Sequence, residues 1–206
     1  MTEVEKAEEG ETRDLILDQA EALIRHIGRK KTNVADIAEK LGMSRANVYR
    51  FLPTRAAIDR GVYARHADQS LSAALARSET CSLPSERLAT LLEDLHKRVR
   101  DDAAHAPNVH ALCVAAYLED WPETRRYVKR LSDAIVHILR DVQNPPEMVL
   151  DRHSAARAVV EAMMSFLHPA LVEQRLQGDQ EIENALRSQI GFVLCALGIK
   201  DYPRSI

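Results

Sequence analysis

Apolar residues recur along this chain at spacings of three and four. Ile16, Ala20, Leu23 and Ile27 fall on one face of a helix at that period. Leu88, Leu91/Leu92, Leu95 and Val99 repeat the pattern, as do Ala156, Val160, Met163 and Leu167, and again Leu186, Ile190, Val193 and Leu197. No stretch alternates with period two long enough for a strand, and no Asn-Gly or Asp-Gly hairpin turn occurs. The predicted fold class is all-α. Breakers divide it into about nine helices, near 12–28, 34–41, 45–51, 54–77, 85–105, 108–119, 122–142, 147–171 and 180–197. Thr12 is the expected N-cap of the first helix and Gly28 its stop. Pro84 and Pro107 stand where a missing N–H costs nothing. Asn144-Pro145-Pro146 is the sharpest break, Pro169 kinks or ends the helix begun near Glu147, and Asp179 is the expected cap of the last helix. No long self-similar repeat suggests a solenoid.

The most informative segment runs from Asn33 to Leu52, NVADIAEKLGMSRANVYRFL. Asn33 caps a short helix, with Asp36 three residues on, and Gly42 supplies the left-handed residue that stops it. Ser44 caps the next helix almost at once. Val34, Ile37, Ala38 and Leu41 share one face, while Val48 and Phe51 turn inward. Two short helices joined by such a turn predict a helix-turn-helix. The outer face of its second helix holds Arg45, Ala46, Asn47, Tyr49 and Arg50. Arg bonds guanine edges, Asn bonds adenine and a methyl meets thymine, so these side chains suit a DNA groove. Tyr49 and Arg55 are expected on phosphates, with Lys31 and Thr32 gripping the opposite backbone. The competing reading is a helical hairpin in an ordinary core, with Arg45 and Arg50 merely solvated.

Charge sharpens this picture. The whole chain of 206 residues carries a net −3, but residues 12–60 hold ten Lys/Arg against six Asp/Glu. A basic segment within an acidic chain points to a local polyanion contact. Residues 1–11 hold five Glu and one Lys, and are expected to be a disordered acidic tail with no signal peptide. Apolar residues at 46% and charged residues at 29% describe an ordinary globular chain. No run of apolar residues is long enough to span a membrane. Cys81, Cys113 and Cys195 are too few and scattered for a disulfide framework, which fits free thiols in a reducing cytoplasm.

The stretch from about Thr12 to Val62, with its core TNVADIAEKLGMSRANVYRFLPTRAAID, resembles the TetR family of one-component transcriptional regulators. The resemblance rests on Thr32-Asn33, Asp36-Ile37-Ala38, Gly42, Ser44, Tyr49, Phe51 and a basic residue at 55. Arg55 departs from the family's more frequent Lys, Ala46-Asn47 from its common Gly-Thr, and Leu52-Pro53 varies the following turn. The resemblance implies a homodimer whose N-terminal domain binds a palindromic DNA operator. It also implies a larger helical domain that binds a small-molecule effector, which usually releases the DNA. The DNA-binding set is then Lys31, Thr32, Asn33, Ser44, Arg45, Ala46, Asn47, Tyr49, Arg50 and Arg55. The domains would be 12–53 for DNA and 54–206 for effector binding and dimerisation.

In the second region, Ala156, Val160, Met163, Met164 and Leu167, with Leu186, Ile190, Val193, Leu194 and Leu197, form two apolar faces. They suit either an intramolecular core or a four-helix interface between two copies, and the resemblance favours the interface. Candidate effector contacts are Tyr63, His66, His96, Arg100, Cys113, Tyr117 and Trp121. His110 and Cys113 share a helix face, but His105 lies outside that helix and no clustered ligand set suggests a metal, so no metal or cofactor is expected. Redox sensing by a cysteine lacks an evident basic neighbour in the sequence. An enzyme is disfavoured because no GxSxG, HExxH, Walker or Rossmann signature occurs. A third reading, in which the helix-turn-helix binds a protein, predicts salt-insensitive binding without DNA affinity.

Overall fold

The computed structural model describes residues 3–142, 151–178 and 181–199, with side chains from residue 8 onward. The breaks expected at Asn144-Pro145-Pro146, the helix start near Glu147 and the cap at Asp179 lie outside the described residues. The described chain is all-helical: α1 (Glu3–Ile27), α2 (Val34–Lys40), α3 (Arg45–Phe51), α4 (Arg55–Ser78), α5 (Pro84–His105), α6 (Pro107–Leu118), α7 (Pro122–Arg140), α8 (Arg152–Leu167), α9 (Pro169–Gly178) and α10 (Ile182–Ala196). Local chemistry explains most of the bounds. Asn33, Ser44, Thr54 and Asp151 accept backbone N–H bonds at the starts of α2, α3, α4 and α8. Proline opens α5, α6 and α7, where no N–H is needed.

Two boundaries differ from expectation. α1 begins at Glu3, so the residues expected to form a tail continue the helix instead. Thr12 is therefore interior to α1, its hydroxyl donating to the Glu8 carbonyl at 2.9 Å. A run of glutamates at a helix N-terminus suits the positive end of the helix dipole, which favours this extension. Near the other end of the chain, the break expected at Pro169 occurs, but Pro169 also opens a further helix, α9, where none was expected.

Two hydrophobic cores hold the helices together. The smaller one collects Ile16, Ala20 and Ile24 of α1, Ile37 of α2, Val48 of α3 and Ile58 and Val62 of α4. It also takes Val109, Leu112, Cys113 and Ala116 from α6, a helix far along the chain. The larger core joins α4, α5, α7, α8 and α10 through residues such as Leu71, Leu92, Ile135, Met163 and Ile190. Helix α4 belongs to both, with Tyr63 and Ala67 in the first and Leu71 and Ala74 in the second.

The larger core corrects the interface assignment. Ala156, Val160, Met163, Leu167, Leu186, Ile190, Val193, Leu194 and Leu197 are buried within the single chain, and Met164 packs against them half-buried. The buried ones are covered by neighbouring helices of the same chain, α8 by α5 and α7, and α10 by α5 and α8. Among the described residues, no single helix is long and apolar enough to cross a membrane.

Candidate functional site

The helix-turn-helix forms as its sequence directs. Asn33 Oδ1 accepts the Asp36 N–H at 2.9 Å, and Asn33 Nδ2 donates to the Asp36 carboxylate at 2.7 Å. Gly42 adopts φ +63°, and Met43 N then donates to the Ala38 carbonyl at 2.8 Å, closing the end of α2. Ser44 Oγ accepts the Asn47 N–H at 3.1 Å and starts α3. Val48 is fully buried, which fixes the roll of α3 and leaves Arg45, Ala46, Tyr49 and Arg50 exposed, with Asn47 half-exposed. Tyr49 faces Lys30, Asn33 and Arg55 across a shallow cleft of about 380 Å³. Lys31 is exposed beside it. Arg50 lies over the Phe51 ring and pairs with Glu9 of α1 at 3.3 Å, so the acidic first turns of the chain reach the same surface.

Two residues expected on phosphates are engaged elsewhere. Thr32 is buried, and its hydroxyl donates to the Gly28 carbonyl at 3.0 Å. Arg55 donates to the Thr32 carbonyl at 3.1 Å, to the Arg29 carbonyl at 2.7 Å and to the Asp59 carboxylate. Its guanidinium thus fastens the start of α4 to the loop after α1. Asp59 is itself buried; burial raises its pKa, against the lowering effect of Arg55. Asn33 and Ser44 use their side-chain acceptors as caps, so any contact they make outward is secondary to that role.

A cavity of about 40 Å³ lies where the two cores meet. Tyr63, His66, Cys113 and Tyr117 line it, joined by Asp102, His110, Tyr127 and Leu167, which were not foreseen from the sequence. Three other candidates stand apart. His96 is buried, with Nδ1 2.8 Å from the Phe166 carbonyl, and burial lowers its pKa, so it acts as a neutral strut between α5 and α8. Arg100 pairs with Glu183 of α10. Trp121 stands behind the cavity wall, edge-on to Tyr63 with ring centroids 5.9 Å apart.

Within the cavity, His66 Nε2 is 2.7 Å from an Asp102 carboxylate oxygen, linking α4 to α5. Burial disfavours the imidazolium, but interactions with Asp102 and with the Cys113 thiol outweigh it and push the His66 pKa up to about 10. Burial also raises the pKa values of Tyr63, Tyr117 and Tyr127, which remain hydrogen-bond donors. His110 is buried, and its Nε2 makes no hydrogen bond, although a Glu173 oxygen lies 3.4 Å away. The walls are thus mixed: phenols, a charged histidine–aspartate pair and a thiol, beside Ala67, Val99 and Leu167. His105, by contrast, is exposed at the end of α5.

The outer face of α8 and α10 is the other unusual surface. Phe192 is 67% exposed, and Ala158, Ala162, Cys195 and Ala196 are exposed on the same two helices. Gln189 of α10 donates to the Ala162 carbonyl at 3.2 Å, holding the pair together.

Comparison with known proteins gives two family matches. Residues 84–188 match the tetracyclin repressor-like C-terminal domain, and residues 16–58 match the tetR family of bacterial regulatory proteins. No curated protein matches the chain. Among solved structures, one described as the molecular basis for control of antibiotic production by bacterial hormones superposes with a TM-score of 0.63 at 21% identity, covering 91% of this chain and 97% of the other. The transcriptional regulator FadR from Bacillus subtilis, in complex with stearoyl-CoA, gives 0.57 at 16% identity, covering 88% and 97%. A transcriptional regulator from Rhodococcus sp. Rha1 gives 0.59 at 19% identity, covering 89% and 96%. At these identities the likeness shows the shared fold.

Proposed function

The chain belongs to the TetR family of bacterial transcriptional regulators, and from that premise we propose that it is a homodimeric repressor released from a palindromic operator by a small-molecule effector. The observation that carries this reading is the exposed face of α3. A capped helix presents Arg45, Ala46, Tyr49 and Arg50 to solvent while Val48 anchors it from behind. Arg45, Asn47 and Arg50 would read base edges, with Tyr49 and Lys31 on phosphates. Two copies would place α3 in successive major grooves about 34–36 Å apart.

The units are read as 12–53 for DNA recognition and 54–206 for effector binding and dimerisation, with no catalytic role. The family's pairing of its last helices leads us to place the dimer on the outer face of α8 and α10, centred on Phe192. A large apolar side chain ringed by small residues there favours close helix contact. The cavity between α4, α5 and α6 is the proposed effector site. At about 40 Å³ it is well below the roughly 300–1,000 Å³ of drug-sized ligand pockets, so a larger effector must widen it. Its walls on α4 and α6 belong to the core that supports α3, which gives widening a route to the DNA.

Fluorescence anisotropy on duplexes selected by the protein from a random pool tests the DNA reading. Arg45→Ala is expected to cost about 1–3 kcal/mol on the selected sequence and to relax preference at one position. Binding without sequence preference at low salt, or none at all, would overturn it.

A further inference from the structure

One arginine joins the DNA-facing loop, residues 28–33, to the wall of the proposed effector cavity. Arg29 follows Gly28, which ends α1 at φ +82°, and lines the cleft that holds Lys30, Asn33 and Tyr49. Its carbonyl accepts the Arg55 guanidinium at 2.7 Å, so its backbone is fixed to the start of α4. Its side chain reaches the corner between α6 and α7. Nη2 donates to Glu119 Oε1 at 2.9 Å, and the guanidinium carbon lies over the Trp121 ring, 5.5 Å from its centre. The other oxygen of Glu119, Oε2, accepts the Trp121 indole N–H at 2.9 Å. One carboxylate thus ties the arginine and the indole together and keeps a cation over an aromatic face. The corner is itself fixed. Asp120 takes the left-handed conformation at φ +48°, uncommon outside glycine, and Trp121 N donates to the Ala116 carbonyl at 3.0 Å. Trp121 is buried and stands edge-on to Tyr63, a wall of the cavity. A continuous line of contacts therefore runs from the cavity through Tyr63, Trp121, Glu119 and Arg29 to the loop.

Stability does not account for this arrangement. The Arg29 and Glu119 side chains keep 24% and 50% of their exposure, and ion pairs this open add little to folding. We propose that Arg29, clamped by Glu119 against Trp121, is the positioning residue through which occupancy of the cavity sets the DNA-gripping loop. This rests on reading the cavity as the effector site. Widening the cavity pushes Tyr63 against Trp121. Trp121 carries Glu119 with it, because the two belong to one fixed corner and share a hydrogen bond. Arg29 follows Glu119, and the exposed Lys30 and Lys31 beside it move off the phosphates. The same contacts act in reverse, so a duplex that fixes the loop must alter the surroundings of Trp121.

Trp121 is the sole tryptophan of the chain, so its emission reads the clamp directly. An overfilled cavity stands in for the effector: Ala67 lines it, and Ala67→Leu adds more volume than about 40 Å³ can take without moving the walls. In the full chain, a duplex selected by the wild type should change Trp121 emission with the midpoint that anisotropy gives. Arg29→Gln should still bind that duplex, at an affinity lowered by about 2–30-fold, with the emission change lost and the melting temperature unchanged. Arg29→Lys, which keeps the charge facing Glu119, should retain part of the emission change. Ala67→Leu should weaken DNA binding about fivefold or more in the wild-type background and have no effect in Arg29→Gln. If Ala67→Leu unfolds, Val99→Ile adds a single methylene to the same cavity and replaces it. A wild-type emission that ignores the duplex, an emission change that survives in Arg29→Gln, or a cavity substitution that acts equally in both backgrounds overturns the clamp and leaves the cavity reading standing. If neither cavity substitution alters DNA binding, the cavity reading and the clamp fall together; if no duplex is selected, the regulator reading falls with them.

Discussion

Arg55→Ala is expected to weaken the fold far more than the grip on DNA. The guanidinium donates to two carbonyls of the α1–α2 loop and to Asp59, and the two charged side chains are only 27% and 12% exposed. Hydrogen bonds to charged groups contribute about 1.5–3 kcal/mol each, and breaking a buried pair costs about 3–5 kcal/mol. Partial solvent access reduces these figures, leaving an expected loss of about 2–4 kcal/mol. In a chain of this length that lowers the melting temperature by roughly 5–15 °C. The deficit has a pH signature. Burial already raises the Asp59 pKa, and without Arg55 it climbs further. A carboxyl whose folded pKa exceeds its unfolded value loses stability as pH rises through that window, so the variant's deficit grows with pH and shrinks in acid. Arg55→Ala/Asp59→Ala should recover part of the loss by deleting the orphaned charge. Urea melts at several pH values measure the stability, and salt titration of DNA affinity measures phosphate contacts. The refuting result is a wild-type melt combined with a salt slope reduced by about one unit, which would mean that Arg55 leaves its partners for a phosphate.

Three further outcomes are expected. Phe192→Glu should yield a monomer by sedimentation with its helical content intact, and an unchanged oligomeric state would remove the α8–α10 face from the interface. The His66–Asp102 pair stabilises the fold fully below the unfolded histidine pKa of about 6.5 and progressively less as pH rises toward about 10. Asp102→Asn should flatten that decline in denaturant melts, whereas an identical slope would show that the pair does not set it. Glu9→Gln frees Arg50 at a stability change within about 0.5 kcal/mol and should strengthen DNA binding at low salt; equal affinity would mean the acidic turns do not compete with DNA.

Much of the DNA-reading surface was legible because it depends on local chemistry. Asn33, Gly42 and Ser44 fix the ends of α2 and α3 through neighbours within a few residues, and Val48 sets which side chains face out. The roles of Arg55 and Thr32 were missed because a basic or hydroxylated residue beside the motif looks the same whether it turns outward or braces a loop. The Arg55–Asp59 spacing of four residues was nevertheless a readable sign of pairing. The stripes expected at a dimer interface lie in the chain's own core, because periodicity marks which face is apolar, not which molecule covers it. The richest stripes of α8 and α10 went to the chain's own core, and the weaker face with Phe192 was left outside. The cavity was half legible. Asp102 continues the apolar stripe of Leu92, Leu95 and Val99 on α5, and a charge in such a stripe signals an inward partner. That its partner is His66 depends on the long-range packing of α4 on α5.

The DNA-reading head does not close its interior alone. Val109, Leu112 and Ala116 of α6 fill the space beneath Ile16, Ile24 and Val48, and Asn108 ties the same helix to the last carbonyl groups of α1. Excising the head at residue 53 would leave that cavity open to water, so the head cannot be transplanted alone, and a chimera must bring α6 with it. The same sharing means that heat should melt head and body together in one transition.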